Sequence, residues 1–85
     1  MYNILVVEDD SNTNQVICEF LKDSGYKVTP AYDGEIAIDY FYEKRYDLVI
    51  LDIMLPRKTG MEVLAEIRKV SNTPVIMLTA LADEY

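Results

Sequence analysis

Four short apolar runs, Ile4 to Val7, Lys27 to Ala31, Leu48 to Leu51 and Val75 to Leu78, constrain this chain more than any other feature. Their brevity and β-branched content favour strands over helices. Apart from the weaker second run they are continuous rather than alternating, the pattern of strands buried on both faces of a parallel sheet. Strand beginnings at Ile4, Val28, Leu48 and Val75 lie 24, 20 and 27 residues apart, close to the length of successive right-handed βαβ units. The segments between them have helical spacing. The first places Val16, Ile17, Phe20 and Leu21 on one stripe, ends at Gly25, and has Ser11 or Asn12 available as N-cap. The second opens after Asp33-Gly34 and carries Ile36, Ala37, Tyr40 and Phe41. The third opens near Gly60 and carries Val63, Leu64 and Ile67 before the turn at Ser71-Asn72-Thr73-Pro74. The fold class is therefore α/β, and the absence of a linker, repeat or low-complexity tract places residues 1–85 in one domain. Ala80 to Tyr85 reads as the opening of a further helix.

A chain of 85 residues buries only about 60% of the surface its unfolded form exposes, so a single small domain of modest stability is expected. Fifteen acidic against eight basic side chains give a net charge of −7, which repels a phosphate backbone and excludes direct nucleic-acid binding by this segment. No apolar run approaches the roughly 18 residues that a membrane span needs, and Glu8, Asp9 and Asp10 come too early for a secretory signal. A cytoplasmic location is expected. With no histidine in the chain, serine–histidine triads and histidine zinc sites are excluded, and carboxylate chemistry remains. The single cysteine, Cys18, has no partner for an internal disulfide and falls in the apolar pattern of the first helix, where it reads as packing.

In open parallel sheets ligands bind beyond the carboxyl ends of the strands. Glu8 and Asp9 follow the first strand, Asp52 ends the third and Thr79 ends the fourth. If the first and third strands are neighbours, three carboxylates meet at one rim, where like charges raise one another's pKa unless a cation compensates. Oxygen donors with room left for water and phosphate suit Mg²⁺. Asp9 and Asp52 are the expected direct ligands, with Glu8 acting through a coordinated water. A carboxylate can accept a phosphoryl group, and Asp52, ending a buried strand and facing the other acids, is the best acceptor. Acidic residues after a strand also serve as helix N-caps, and Asp10 is open to either a capping or an outer role.

Three stretches in this order, Ile4-Leu-Val-Val-Glu-Asp-Asp10, Asp47-Leu-Val-Ile-Leu-Asp-Ile-Met-Leu-Pro56 with Gly60 after it, and Thr73-Pro-Val-Ile-Met-Leu-Thr-Ala80, resemble the receiver domain of two-component response regulators, and within that family the OmpR/PhoB-like transcription regulators. The resemblance implies a flavodoxin-like (CheY-like) parallel sheet of order 2-1-3-4, ending before the fifth strand and helix of a complete receiver. It implies Asp52 as phosphoacceptor, Glu8 and Asp9 as the acidic metal pair, and Met54 as a ligand to Mg²⁺ through its main-chain carbonyl, its side chain merely packing. Thr79 would hydrogen-bond the phosphoryl group, and Ala80 would supply a small side chain and a backbone N–H beside it. Pro56 and Gly60 would shape the loop after Asp52, Gly60 through a positive φ or a close approach.

The implied role is a phosphoacceptor, not a conventional enzyme. It takes phosphate from a sensor histidine kinase and controls an output domain, expected to bind DNA. The family's conserved-position lysine and the fifth strand and helix lie beyond this stretch, so weakened phosphorylation is expected, with Lys58 either a partial substitute or a solvated surface residue. An uncovered edge at Val75 to Leu78 would favour a homo-oligomer, including one that exchanges elements between chains. The alternative is a receiver fragment without signalling activity that self-associates. An aspartyl phosphatase is disfavoured by Met54, where such enzymes need a second aspartate, and nucleotide or flavin binding by the lack of a glycine-rich loop after the first strand.

Overall fold

The computed structural model describes residues 2–78; Thr79, Ala80 and the helix expected from Ala80 to Tyr85 lie outside them. Seven elements alternate: β1 (Asn3–Val7), α1 (Ser11–Asp23), β2 (Lys27–Ala31), α2 (Gly34–Glu43), β3 (Leu48–Asp52), α3 (Gly60–Val70) and β4 (Val75–Leu78). All strand pairings are parallel, in the order β2-β1-β3-β4. This is the α/β architecture and the strand order expected above. Among the described residues no helix is long and apolar enough to cross a membrane.

Each helix starts where a short polar side chain takes up an otherwise unpaired N–H. Asp10 caps α1 by accepting from Thr13 N–H at 2.9 Å and Thr13 Oγ1 at 2.6 Å. The cap is thus Asp10, not Ser11 or Asn12, which are the first helical residues. Asp33 caps α2 through Ile36 N–H at 2.8 Å. Thr59 and Glu62 form a reciprocal capping box on α3. At the other end of α1, Gly25 takes φ 96°, its N–H reaches Lys22 O, and Tyr26 N–H reaches Leu21 O, the paired arrangement that ends a helix on a left-handed residue.

The sheet separates two apolar layers. Leu5, Val7, Ala31, Val49 and Leu51 face α2 and α3, where Ala37, Phe41, Val63 and Ile67 close the larger core. On the opposite face Ile4 and Val6 pack with Cys18, Ile17 and Leu21 of α1. Cys18 is therefore a packing residue, as its pattern implied. The stripe expected on α1 is corrected: Val16 and Phe20 are 65% and 71% exposed, and the buried positions are Asn14 and Cys18. Among the described residues α1 is the one helix on this face, and only a narrow strip of it meets the sheet.

Burial on both faces holds for β1 but not for β3 or β4. Alternate residues of β3 are only half-buried, and Ile76 of β4 is 50% exposed. An open groove of about 430 Å³ lies along this face between Tyr2, Tyr26, Leu48, Ile50 and Ile76. The opposite edge strand, β2, carries Pro30, a residue tolerated in sheets at edges.

Candidate functional site

The register Val7 opposite Leu51 brings the residues after β1 against the end of β3, at the point where the strand order reverses. Carboxylate oxygens of Glu8, Asp9 and Asp52 lie within 4.8 Å of one another. The three acids named from the sequence therefore gather at one rim of the sheet. Asp9 is exposed and Asp52 half-buried, whereas Glu8 is only 8% exposed. Glu8 Oε2 accepts the Asp10 N–H at 2.9 Å. Burial pushes the Glu8 carboxyl above its ordinary range; the Asp10 N–H opposes the rise, and the neighbouring negative charges of Asp52 and Asp9 add to it.

An all-oxygen donor set in which a buried carboxylate is held against two others fits a hard divalent cation such as Mg²⁺. Glu8, Asp9 and Asp52 are the residues that would hold it. Met54 N–H donates to Asp52 Oδ1 at 3.1 Å and orients that carboxylate. The Met54 side chain is 71% exposed and does not pack, contrary to the expectation for it. Asp10 serves α1 as its cap, and its two bonds from Thr13 hold its pKa below the ordinary value.

The loop after Asp52 is fixed by close backbone contacts. Gly60 N–H donates to Ile53 O at 2.9 Å and Ile53 N–H to Leu78 O at 3.0 Å. A Cβ at Gly60 would sit 2.3 Å from Asp52 O, so Gly60 is required for close approach and not for a positive φ. The positive φ of this loop falls on Arg57, at 68°. Pro56 is exposed, and Leu55, 8% exposed, anchors the loop in the larger core. Lys58 is half-buried rather than fully solvated. A Cβ at Gly34 would lie 2.6 Å from Lys58 O; this glycine lets the start of α2 seat the loop, a role its place in an Asp-Gly turn did not reveal. Thr79 and Ala80 lie outside the described residues.

Sequence reasoning also passed over Asn14. It is fully buried, and its Nδ2 faces Glu8 O at 3.0 Å, Ala31 O at 3.1 Å and Val6 O at 3.3 Å. The available signal was an amide at the head of the true buried stripe, Asn14, Ile17, Cys18, Leu21, where an apolar residue is the rule.

Fold and carboxylate cluster together define a flavodoxin-like (CheY-like) α/β domain with three acids gathered at its strand reversal. Residues 4–85 match the family model for the response regulator receiver domain, and the chain belongs to that family. It is 47% identical over 81 residues to the regulatory protein VanRB of Enterococcus faecalis, covering 95% of this chain and 37% of that protein. The chain thus spans little more than a third of that curated relative. The receiver TrrA of Thermotoga maritima, solved with Mg²⁺-BeF, superposes with TM-score 0.89 at 44% identity over 94% of this chain and 70% of its own. TrrA has also been solved in complex with the histidine kinase ThkA. The receiver domain of Francisella response regulator 1452 gives TM-score 0.90 at 35% identity, covering 95% of this chain and 68% of its own.

Proposed function

We propose that this receiver accepts a phosphoryl group on Asp52 from the phosphohistidine of a sensor kinase, in the cytoplasm, and passes the change to an output domain of a longer protein. The single observation that carries the reading is the meeting of Glu8, Asp9 and Asp52 carboxylates within 4.8 Å. Mg²⁺ bound there supplies charge neutralisation for the phosphoryl oxygens. Asp9 and Asp52 would hold it directly, the Met54 carbonyl would add a main-chain ligand, and Glu8 would act through a coordinated water. An Asp52 oxygen forms the new O–P bond as the N–P bond of the donor breaks, while Met54 N–H keeps the carboxylate aimed. The Thr79 hydroxyl and Ala80 N–H hydrogen-bond the transferred group. Asp52 and its neighbours assist one transfer and its hydrolysis, without the turnover of a conventional enzyme. The complex of TrrA with ThkA supports a kinase as donor, and the likeness to the regulatory protein VanRB supports a regulatory output, which the resemblance of the three sequence stretches to OmpR/PhoB-like regulators would make a transcriptional one.

Incubation with Mg²⁺ and acetyl phosphate tests this reading. The expected result is a mass gain of one phosphoryl group that is lost in Asp52→Asn; a chain that gains none, or gains it equally in the variant, refutes it. A second reading rests on the exposed Ile76 edge and the groove beside it: the segment self-associates through β4 without signalling. Sedimentation showing a monomer at high concentration rules that out.

A further inference from the structure

We infer that Asn14 is a positioning residue that aims the Glu8–Asp9 pair of the carboxylate cluster and thereby sets the cluster's affinity for a divalent cation. The inference rests on the proposed cation site and deepens it. The carbonyl of Glu8 belongs to the peptide that joins Glu8 to Asp9, and Asn14 Nδ2 holds that carbonyl at 3.0 Å. The same nitrogen meets Ala31 O at 3.1 Å and Val6 O at 3.3 Å. Ala31 O also accepts the Glu8 N–H at 3.1 Å. One amide therefore ties the end of β1, the end of β2 and the plane of the peptide from which both carboxylates project. Its other end is fixed as well, since Cys18 Sγ donates to Asn14 Oδ1 at 3.2 Å.

An amide with no solvent exposure on the apolar side of a helix is costly unless its hydrogen bonds are made, and here they are. An apolar residue would fill the same space and leave α1 packed on Ile4 and Val6. What only the amide supplies is direction for the Glu8–Asp9 peptide. Partners behind a metal ligand change affinity by about 10- to 100-fold when removed.

The test measures Mn²⁺ binding by electron paramagnetic resonance on the full chain, with thermal melts of every variant. Asn14→Leu keeps volume and removes the donor; it is expected to weaken Mn²⁺ by at least about tenfold. Ile67→Val, a methylene deletion in the opposite core layer, is expected to keep the wild-type affinity while losing stability. Should the leucine variant fail to fold, Asn14→Ser, which keeps one donor, is expected to fall between wild type and that loss. A folded Asn14 variant with wild-type affinity overturns the inference, as does an equal loss in Ile67→Val. Failure of the unaltered chain to bind Mn²⁺ refutes the cation site itself, and that failure is distinguishable because it appears before any substitution.

Discussion

Gly60→Ala adds a single methyl group where the structure has least room for it. The new carbon would stand 2.3 Å from Asp52 O, 2.7 Å from Ile53 Cα and 3.0 Å from Asp52 C. Carbon–oxygen contacts settle at about 3.3 Å, so the two backbones must part by about 1 Å. None of these atoms is the end of a flexible side chain. The first turn of α3 must retreat, loosening the Gly60 N–H to Ile53 O bond and tilting the peptide that carries Asp52. Overpacking of this kind costs about 1–3 kcal/mol, the weakened bond about 1 more, and alanine's helix preference returns at most about 1. The net expectation is a loss of about 2 kcal/mol, which lowers the melting temperature of a domain this size by about 10 °C. Phosphorylation by acetyl phosphate, followed by mass at a temperature where both proteins are folded, is expected to slow. Gly25→Ala is the companion variant. Its φ of 96° is strained for alanine but nothing lies within 4 Å, so it should lose about 1 kcal/mol and leave phosphorylation untouched. A Gly60→Ala protein that melts at or above the wild-type temperature would refute the steric argument.

Thr59→Ala removes the capping box of α3 and is expected to cost about 1 kcal/mol in urea denaturation, with no change in cation affinity. Arg57→Gly relieves a left-handed residue at the loss of only an exposed 3.8 Å contact to Glu35; a gain of about 0.5 kcal/mol is expected, and a loss would show that the strain argument fails. Burial pushes the Tyr46 hydroxyl above 10.0 and the Cys18 thiol above 9.0. Both groups stay neutral in the fold after they ionise in the unfolded chain, so their stability is intact below pH 9 and is lost as pH rises through the raised values. Tyr46→Phe is expected to flatten the alkaline decline of the melting temperature above pH 10.0, and an unchanged decline would count against that assignment.

The strands were legible because apolar runs bounded by turns carry their own signal, and the three acids because they sit immediately beyond those runs. Their order in the sheet came from family resemblance, since periodicity does not say which strands pair. Three neighbouring cap-formers, Asp10, Ser11 and Asn12, made the start of α1 ambiguous; geometry decided for the one whose oxygen reaches Thr13 N–H. Val16 and Phe20 misled because residue type overstated how wide a strip of α1 the sheet covers. Asn14 was invisible to a search for apolar stripes, being polar at a buried position. Of the two roles open to Gly60 the structure chose close approach, to Asp52 and Ile53, whereas the need for glycine at position 34 arises from the backbone at Lys58, distant in sequence, which no local pattern records.

Pro30 blunts one rim of the sheet. Lys27 N–H points inward to Tyr2 O, so alternate residues of β2 turn their amide positions outward, and at Pro30 that outward position has no hydrogen to offer. A strand offered to β2 would therefore lose a ladder hydrogen bond at Pro30, which disfavours extension of the sheet on that side, and among the described residues the only other rim is β4.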